Sequence, residues 1–190
     1  TQWRDLILRN MGYRHQANLS LDGSTAKAKY YVYADFKSRR GFFDNTRLAE
    51  GISCQDEYTA LKIRSNLDVN VTSSTDLIIN LGARLQQGQS PYQFGGLDAM
   101  YNTPVVGIPE KYNGKWVGTD KFANPLSTIL GRGNSVTFQR MLTGDVTIRQ
   151  DLSFITRGLK AEIRAAYDNS ADICDTKSYS TSYYNMYPLY

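Results

Sequence analysis

The sequence predicts an all-β protein, an antiparallel transmembrane β-barrel segment, and three observations carry that prediction. Apolar and polar side chains alternate with a period of two in six stretches of about ten residues. The connections between these stretches are short and long in strict alternation. The chain is also poor in reactive side chains, with one histidine, His15, and two cysteines, Cys54 and Cys174, among 190 residues.

Taken in order, the first stretch, 13–22, carries Tyr13, His15, Ala17, Leu19 and Leu21 on one parity and Arg14, Gln16, Asn18, Ser20 and Asp22 on the other. The second, 28–37, sets Ala28, Tyr30, Val32, Ala34 and Phe36 against Lys29, Tyr31, Tyr33, Asp35 and Lys37. The third, 59–71, sets Leu61, Ile63, Leu67, Val69 and Val71 against Lys62, Arg64, Asn66, Asp68 and Asn70. The fourth, 76–86, opposes Leu77, Ile79, Leu81, Ala83 and Leu85 to Asp76, Asn80, Arg84 and Gln86. In the fifth, 136–149, Val136, Phe138, Leu142, Val146 and Ile148 face Thr137, Gln139, Thr143, Asp145 and Arg149. The sixth, 159–167, has Leu159, Ala161, Ile163, Ala165 and Tyr167 against Lys160, Glu162 and Arg164.

Successive side chains on a strand point to opposite faces, so each stretch has one apolar and one charged face. Apart from His15 and Arg140, the apolar faces carry no ionisable group other than tyrosine. About ten residues is also the length that a tilted strand needs to cross a bilayer. Any antiparallel sheet with one wet face alternates in this way, so alternation alone leaves a soluble sheet open.

The connections decide between them. Short links fall at Asp22-Gly23-Ser24-Thr25, at Thr72-Ser73-Ser74-Thr75 and over 153–158. Long ones run from 38 to 57, from 87 to 134 over roughly 48 residues, and into a tail after Asn169. All short turns then lie at one end of the sheet and all long loops at the other, as in outer-membrane barrels. In that setting the apolar parity faces lipid. The interior is lined by Arg14, Lys62, Arg64, Asp68, Arg84, Asp145, Arg149, Lys160, Glu162 and Arg164. Arg140 falls on the lipid parity near the long-loop end, where snorkelling to the interface is the expected resolution.

Six strands cannot close around a channel, because bacterial barrels begin at eight and an open sheet in lipid leaves unsatisfied edges. Residues 183–190 carry Pro188 and read as loop. The chain starts at Thr1 without Met or a leader, which reads as a mature or excised segment. The whole sequence therefore reads as an arc of a larger barrel. Hydrophobic content of 41% and aromatic content of 12% exclude a disordered chain. With a net charge of +4 the basic residues are scattered without a recognition motif, so no nucleic-acid partner is expected. No enzyme activity, metal or cofactor is expected either: the single histidine weakens triads and metal centres, and no carboxylate pair has an acid–nucleophile spacing.

The residues resemble the SusC/RagA-like TonB-dependent transporters of the Bacteroidetes outer membrane. Thr1-Gln2-Trp3-Arg4-Asp5 resembles that family's "TDWQD". Asn18-Leu19-Ser20-Leu21-Asp22-Gly23 with Lys29-Tyr30-Tyr31-Val32 is similar to its "NLSVSGG…RYFVS" hairpin. Arg40-Gly41-Phe42-Phe43-Asp44-Asn45-Thr46 resembles a loop start, and Ile63-Arg64-Ser65-Asn66-Leu67-Asp68 the frequent "FRSNLD" strand. Asn124-Pro125-Leu126 and the pair Gly144-Asp145-Val146-Thr147-Ile148 and Gly158-Leu159-Lys160-Ala161 follow in the family's order.

The resemblance implies about six early strands of a 22-stranded barrel, with the plug domain and remaining strands outside this chain. It implies energy-dependent import of a nutrient, an oligosaccharide or glycan first and a peptide second, across the outer membrane of a Gram-negative cell. The implied partners are a SusD-like surface lipoprotein, the TonB-ExbB-ExbD complex acting through parts outside this chain, and outer-membrane lipid. In the long loop, Tyr92, Phe94, Tyr101, Tyr112 and Trp116 are interleaved with amides and carboxylates, a composition suited to stacking on sugar rings. Packing of the loop itself is the plainer role for the same aromatics. The alternative reading is a soluble all-β carbohydrate-binding or adhesion module. Cys54 and Cys174 both fall in loops on the same side, and whether they pair stays open.

Overall fold

The chain, seen as a computed structural model, is described over residues 2–44, 53–92, 97–104, 108–180 and 183–186. In chain order it forms α1 (Trp3–Ile7), β1 (Tyr13–Ser24), β2 (Ala28–Arg40), β3 (Glu57–Asn70), β4 (Thr75–Pro91), α2 (Leu97–Asn102), β5 (Lys111–Tyr112) and β6 (Lys115–Gly118). There follow α3 (Pro125–Ile129), β7 (Gly133–Asp151), β8 (Lys160–Ser178) and β9 (Tyr183–Asn185). All six predicted strands are present. They form one antiparallel sheet in the order β1-β2-β3-β4-β7-β8, so the all-β class holds.

The pairing runs one residue to one residue along every strand pair. Leu19, Ala34, Ile63, Ala83, Leu142 and Asn169 lie in one row across the sheet. Because a slip of one residue would invert a strand, this register places all six apolar parities on the same face. Among the described residues nothing covers that face: Leu19 is 71% exposed, Leu81 54% and Ile163 73%. The sheet is a single layer, and among the described residues β1 and β8 do not pair, so it is open.

Several expectations need correction at the ends of strands. The first turn lies over 25–27, because Asp22, Gly23 and Ser24 of the expected Asp22-Gly23-Ser24-Thr25 turn are still paired strand. Gly23 is still paired with Tyr30, whose ring occupies the space that a side chain at 23 would need. The turn is closed instead by Thr25, whose Oγ1 accepts from the amides of Lys27 and Ala28 at 3.3 and 3.0 Å. β8 continues to Ser178, so the tail expected after Asn169 is strand and Cys174 sits on it rather than in a loop. Residues 183–185, read as loop, form β9, which pairs in parallel with β6. Pro188 lies outside the described residues.

The buried core sits beyond the long-loop end of the sheet. Trp3, Leu6 and Ile7 of α1 meet Phe43, Cys54, Met100 of α2, and Leu126, Ile129 and Leu130 at α3. The long connection, shortened to 92–132 by the extension of β4 and β7, forms an organised cap over its described residues. Its β5–β6 hairpin turns through Asn113 and Gly114, both with positive φ, as a two-residue hairpin requires. α3 begins where Asn124 caps it and Pro125 takes the first helical position. The side chain of Asn124 accepts from the Leu126 amide and donates to the carbonyls of Glu110 and Val117, each at 3.0 Å. One buried amide thus ties the hairpin to the helix.

Candidate solute-binding surface

The ten residues expected to line the interior, from Arg14 to Arg164, all fall on the polar face of the six-stranded sheet. Several form a ladder across it. Asn66 donates to Asn80 at 2.8 Å, Asn80 donates to Asp145 at 3.0 Å, and Arg164 reaches Asp145 from β8 at 3.1 Å. Nearer the short turns, Arg149 holds Glu162 through two nitrogens at 2.9 and 3.0 Å. Asp35, which the sequence placed on this face, is buried and takes Lys37 at 3.1 Å and Gln16 at 3.3 Å. This face is polar, mixed in sign and held by its own hydrogen bonds.

The aromatic residues predicted in the long loop do not form one platform. Trp116 lies on the hairpin face that packs against the cap core, with the Lys111 ammonium 4.4 Å above its ring. Tyr112 is on the opposite face, 61% exposed, and meets Tyr184 of β9 edge-on at 5.9 Å. The Lys115 ammonium lies 5.2 Å from the Tyr184 ring. Tyr112 and Trp116 therefore serve different surfaces, because a side-chain alternation of two separates them in the paired register. Tyr184 was missed with its strand. The Asn113-Gly114 pair, which turns β5 into β6, was the signal that could have found the hairpin.

Tyr101 is exposed on α2 and borders a cleft of about 540 Å³ between the cap and the ends of β1 and β2. Arg14, Arg39 and Asp56 supply its polar lining, and Phe42 and Met100 its apolar side. Arg39 is paired with Asp56 at 3.2 Å. Tyr92 follows β4 directly, exposed, with its amide bonded to the Gly133 carbonyl at 3.0 Å. Phe94 lies outside the described residues. A second cavity, about 640 Å³, belongs mainly to the apolar face and is lined by Ile63, Leu81, Leu142, Val146 and Tyr167. Its chemistry suits hydrocarbon.

Arg140 has a partner on the neighbouring strand. β7 begins at Gly133, so Arg140 lies well inside the strand, and its guanidinium donates across the apolar face to Asn169 at 3.3 Å. The cysteines are both free. Cys54 is fully buried, its thiol directed at the Leu130 and Gly133 carbonyls at 3.1 and 3.3 Å, while Cys174 is exposed. Burial pushes the Cys54 thiol up to about 11. Among the described residues, no three His, Cys, Asp or Glu side chains converge, and no helix is long and apolar enough to cross a membrane. No protein-family model matches the sequence, and no curated protein matches it.

Proposed function

We propose that this chain forms part of the wall and the outer loops of an outer-membrane β-barrel that imports a solute. The observation that carries this reading is the uncovered apolar face: six strands in a bulge-free register with every large apolar parity on one side and, among the described residues, nothing packed on it. A soluble protein rarely exposes a continuous apolar patch beyond a few hundred Å². Sorting of the turns to one end and the cap to the other supports the same reading.

The slant of the apolar band adds a second support. On β1 the unbroken apolar run is 17–21, centred on Leu19, which shares its row with Asn169 on β8. On β8 the unbroken run is 161–167, centred on 164. The band therefore slips by five residues (169 to 164) over the five strand-to-strand steps from β1 to β8. One residue per strand is a rise of about 3.3 Å for every ~4.8 Å across, an angle of about 35°. Strands tilted by 35–45° with a fixed stagger are what barrel closure demands, and a level membrane cuts such strands obliquely. On β7 the band starts at Leu142, so Arg140 sits just outside it, at the interface.

The resemblance to SusC/RagA-like transporters supplies the rest of the proposal. The barrel would have 22 strands, with this chain as about six early ones. The solute is an oligosaccharide in the first place, a peptide in the second. The cap would meet a SusD-like lipoprotein, and coupling to TonB would run through parts outside this chain. The exposed Tyr112–Tyr184 pair and the cleft beside Tyr101 are its outward contact surfaces. The test uses the full-length protein: it requires detergent to stay monodisperse and, in proteoliposomes or cells, takes up labelled oligosaccharide. A protein that is monomeric and soluble without detergent refutes the barrel and returns the soluble binding module.

A further inference from the structure

On the polar face, charges toward the short turns are matched by partners of opposite sign, and a group near its middle is not. Toward the short turns, Arg149 is paired with Glu162, Arg164 with Asp145, and Lys29 stands opposite Asp68. In the middle, Lys62 stands opposite Arg84 across the β3–β4 pair, with Arg64 one rung away. Among the described residues no carboxylate forms an ion pair with any of these three. Asp35, the nearest carboxylate in register, is engaged by Lys37 and Gln16. Like charges directly opposite on one face destabilise a sheet. Among the described residues the fold sets one carboxylate beside them, Asp35, opposite Lys62 across the β2–β3 pair and already shared with Lys37.

The same residues enclose a depression of about 470 Å³. Its floor is low because Ala60 and Gly82 present little or no side chain, and its rim is the long cationic chains of Lys37, Lys62, Arg64 and Arg84. A Cβ at Gly82 would come within 2.6 Å of the Thr143 hydroxyl, so the floor cannot be raised there without moving that group. Four cations around one occupied carboxylate leave about three positive charges to converge on whatever enters. Guanidinium groups bind carboxylate and sulfate through two parallel hydrogen bonds.

We propose that this depression binds the oxyanions of the passing solute, carboxylate or sulfate, so that the oligosaccharide is an acidic one. The inference rests on the polar face being the wet inner wall. It is tested by calorimetric binding of a sulfated dextran oligosaccharide, and of unsulfated dextran of the same length, to the full-length protein in detergent. The sulfated probe should bind at least about tenfold more tightly, and the combined variant Lys62→Gln, Arg64→Gln, Arg84→Gln should lose that factor. Removing the same number of charges at Lys27, Lys121 and Arg157 should change the affinity by no more than about twofold. Arg84→Lys, which keeps the charge, should retain most of the preference and reports that the wall still folds.

Equal affinity for the two dextrans overturns the proposal. So does a preference that survives in the triple variant, or an equal loss in the control. A preference absent from the native protein, together with a lower melting temperature in the triple variant, would mean that an acidic segment of the same protein already fills the depression. That too overturns it. None of these results touches the lipid exposure of the apolar face, which is read separately, so failure here and failure of the barrel are distinguishable.

Discussion

At the scale of single residues, the cap depends on a few buried polar groups. Asn124→Ala removes the helix cap and orphans two buried carbonyls, a loss of about 2–3 kcal/mol. The expected readout is faster deuterium uptake over 110–130 with the strands unchanged; unchanged exchange would deny the amide its role. Cys54 carries a pH dependence. Its thiol titrates near 9.0 when unfolded and is pushed up to about 11 by burial. Above pH 9 the unfolded chain alone releases the proton, so cap stability present below pH 9 falls as pH rises toward 11. Tryptophan fluorescence should show this loosening, and Cys54→Ala should abolish it. None of this was legible in the sequence. Asn124 was visible within Asn124-Pro125-Leu126, a helix-start signal, yet its two carbonyl partners lie 7 and 14 residues away and are set by the tertiary fold.

At the scale of elements, the alternation located all six strands because one face of each is apolar. It failed where polar residues occupy both parities. Beyond Tyr167, the apolar parity of β8 meets Asn169 and the opposite one carries Asp168, Ser170 and Asp172, so the strand loses its period while keeping its pairing with β7. The cap elements escaped for another reason: at two to six residues each they are too short to show a period. The two faces predict opposite tolerances. Leu81→Arg puts a charge in the middle of the apolar band and should cost about 2–4 kcal/mol. Ser20→Arg, on the polar face, should stay within about 0.5 kcal/mol. Heat-modifiability of the folded protein on gels reads the difference; equal tolerance would mean that the odd face of β4 does not meet lipid.

At the scale of the whole molecule, the sheet makes sense only as something larger or something covered. Among the described residues its two edges are open, its apolar face is bare, and its buried core lies in the cap outside the strands. Sorting of turns and loops was legible because connection lengths are read directly from the sequence. The slant of the apolar band needed the register, which alternation alone does not fix. It predicts strands inclined by about 35–45° to the membrane normal, measurable by polarised infrared dichroism of the full-length protein in oriented bilayers. Strands lying near 0° or 90° would contradict it. The most direct test of the central claim is a nitroxide scan of residues 77–86 of β4 in liposomes, on a Cys174→Ser background. Odd positions should be accessible to oxygen dissolved in lipid and even positions to a water-soluble nickel chelate, alternating at every step. Odd positions closed to both reagents would place that face inside a protein core and contradict the account.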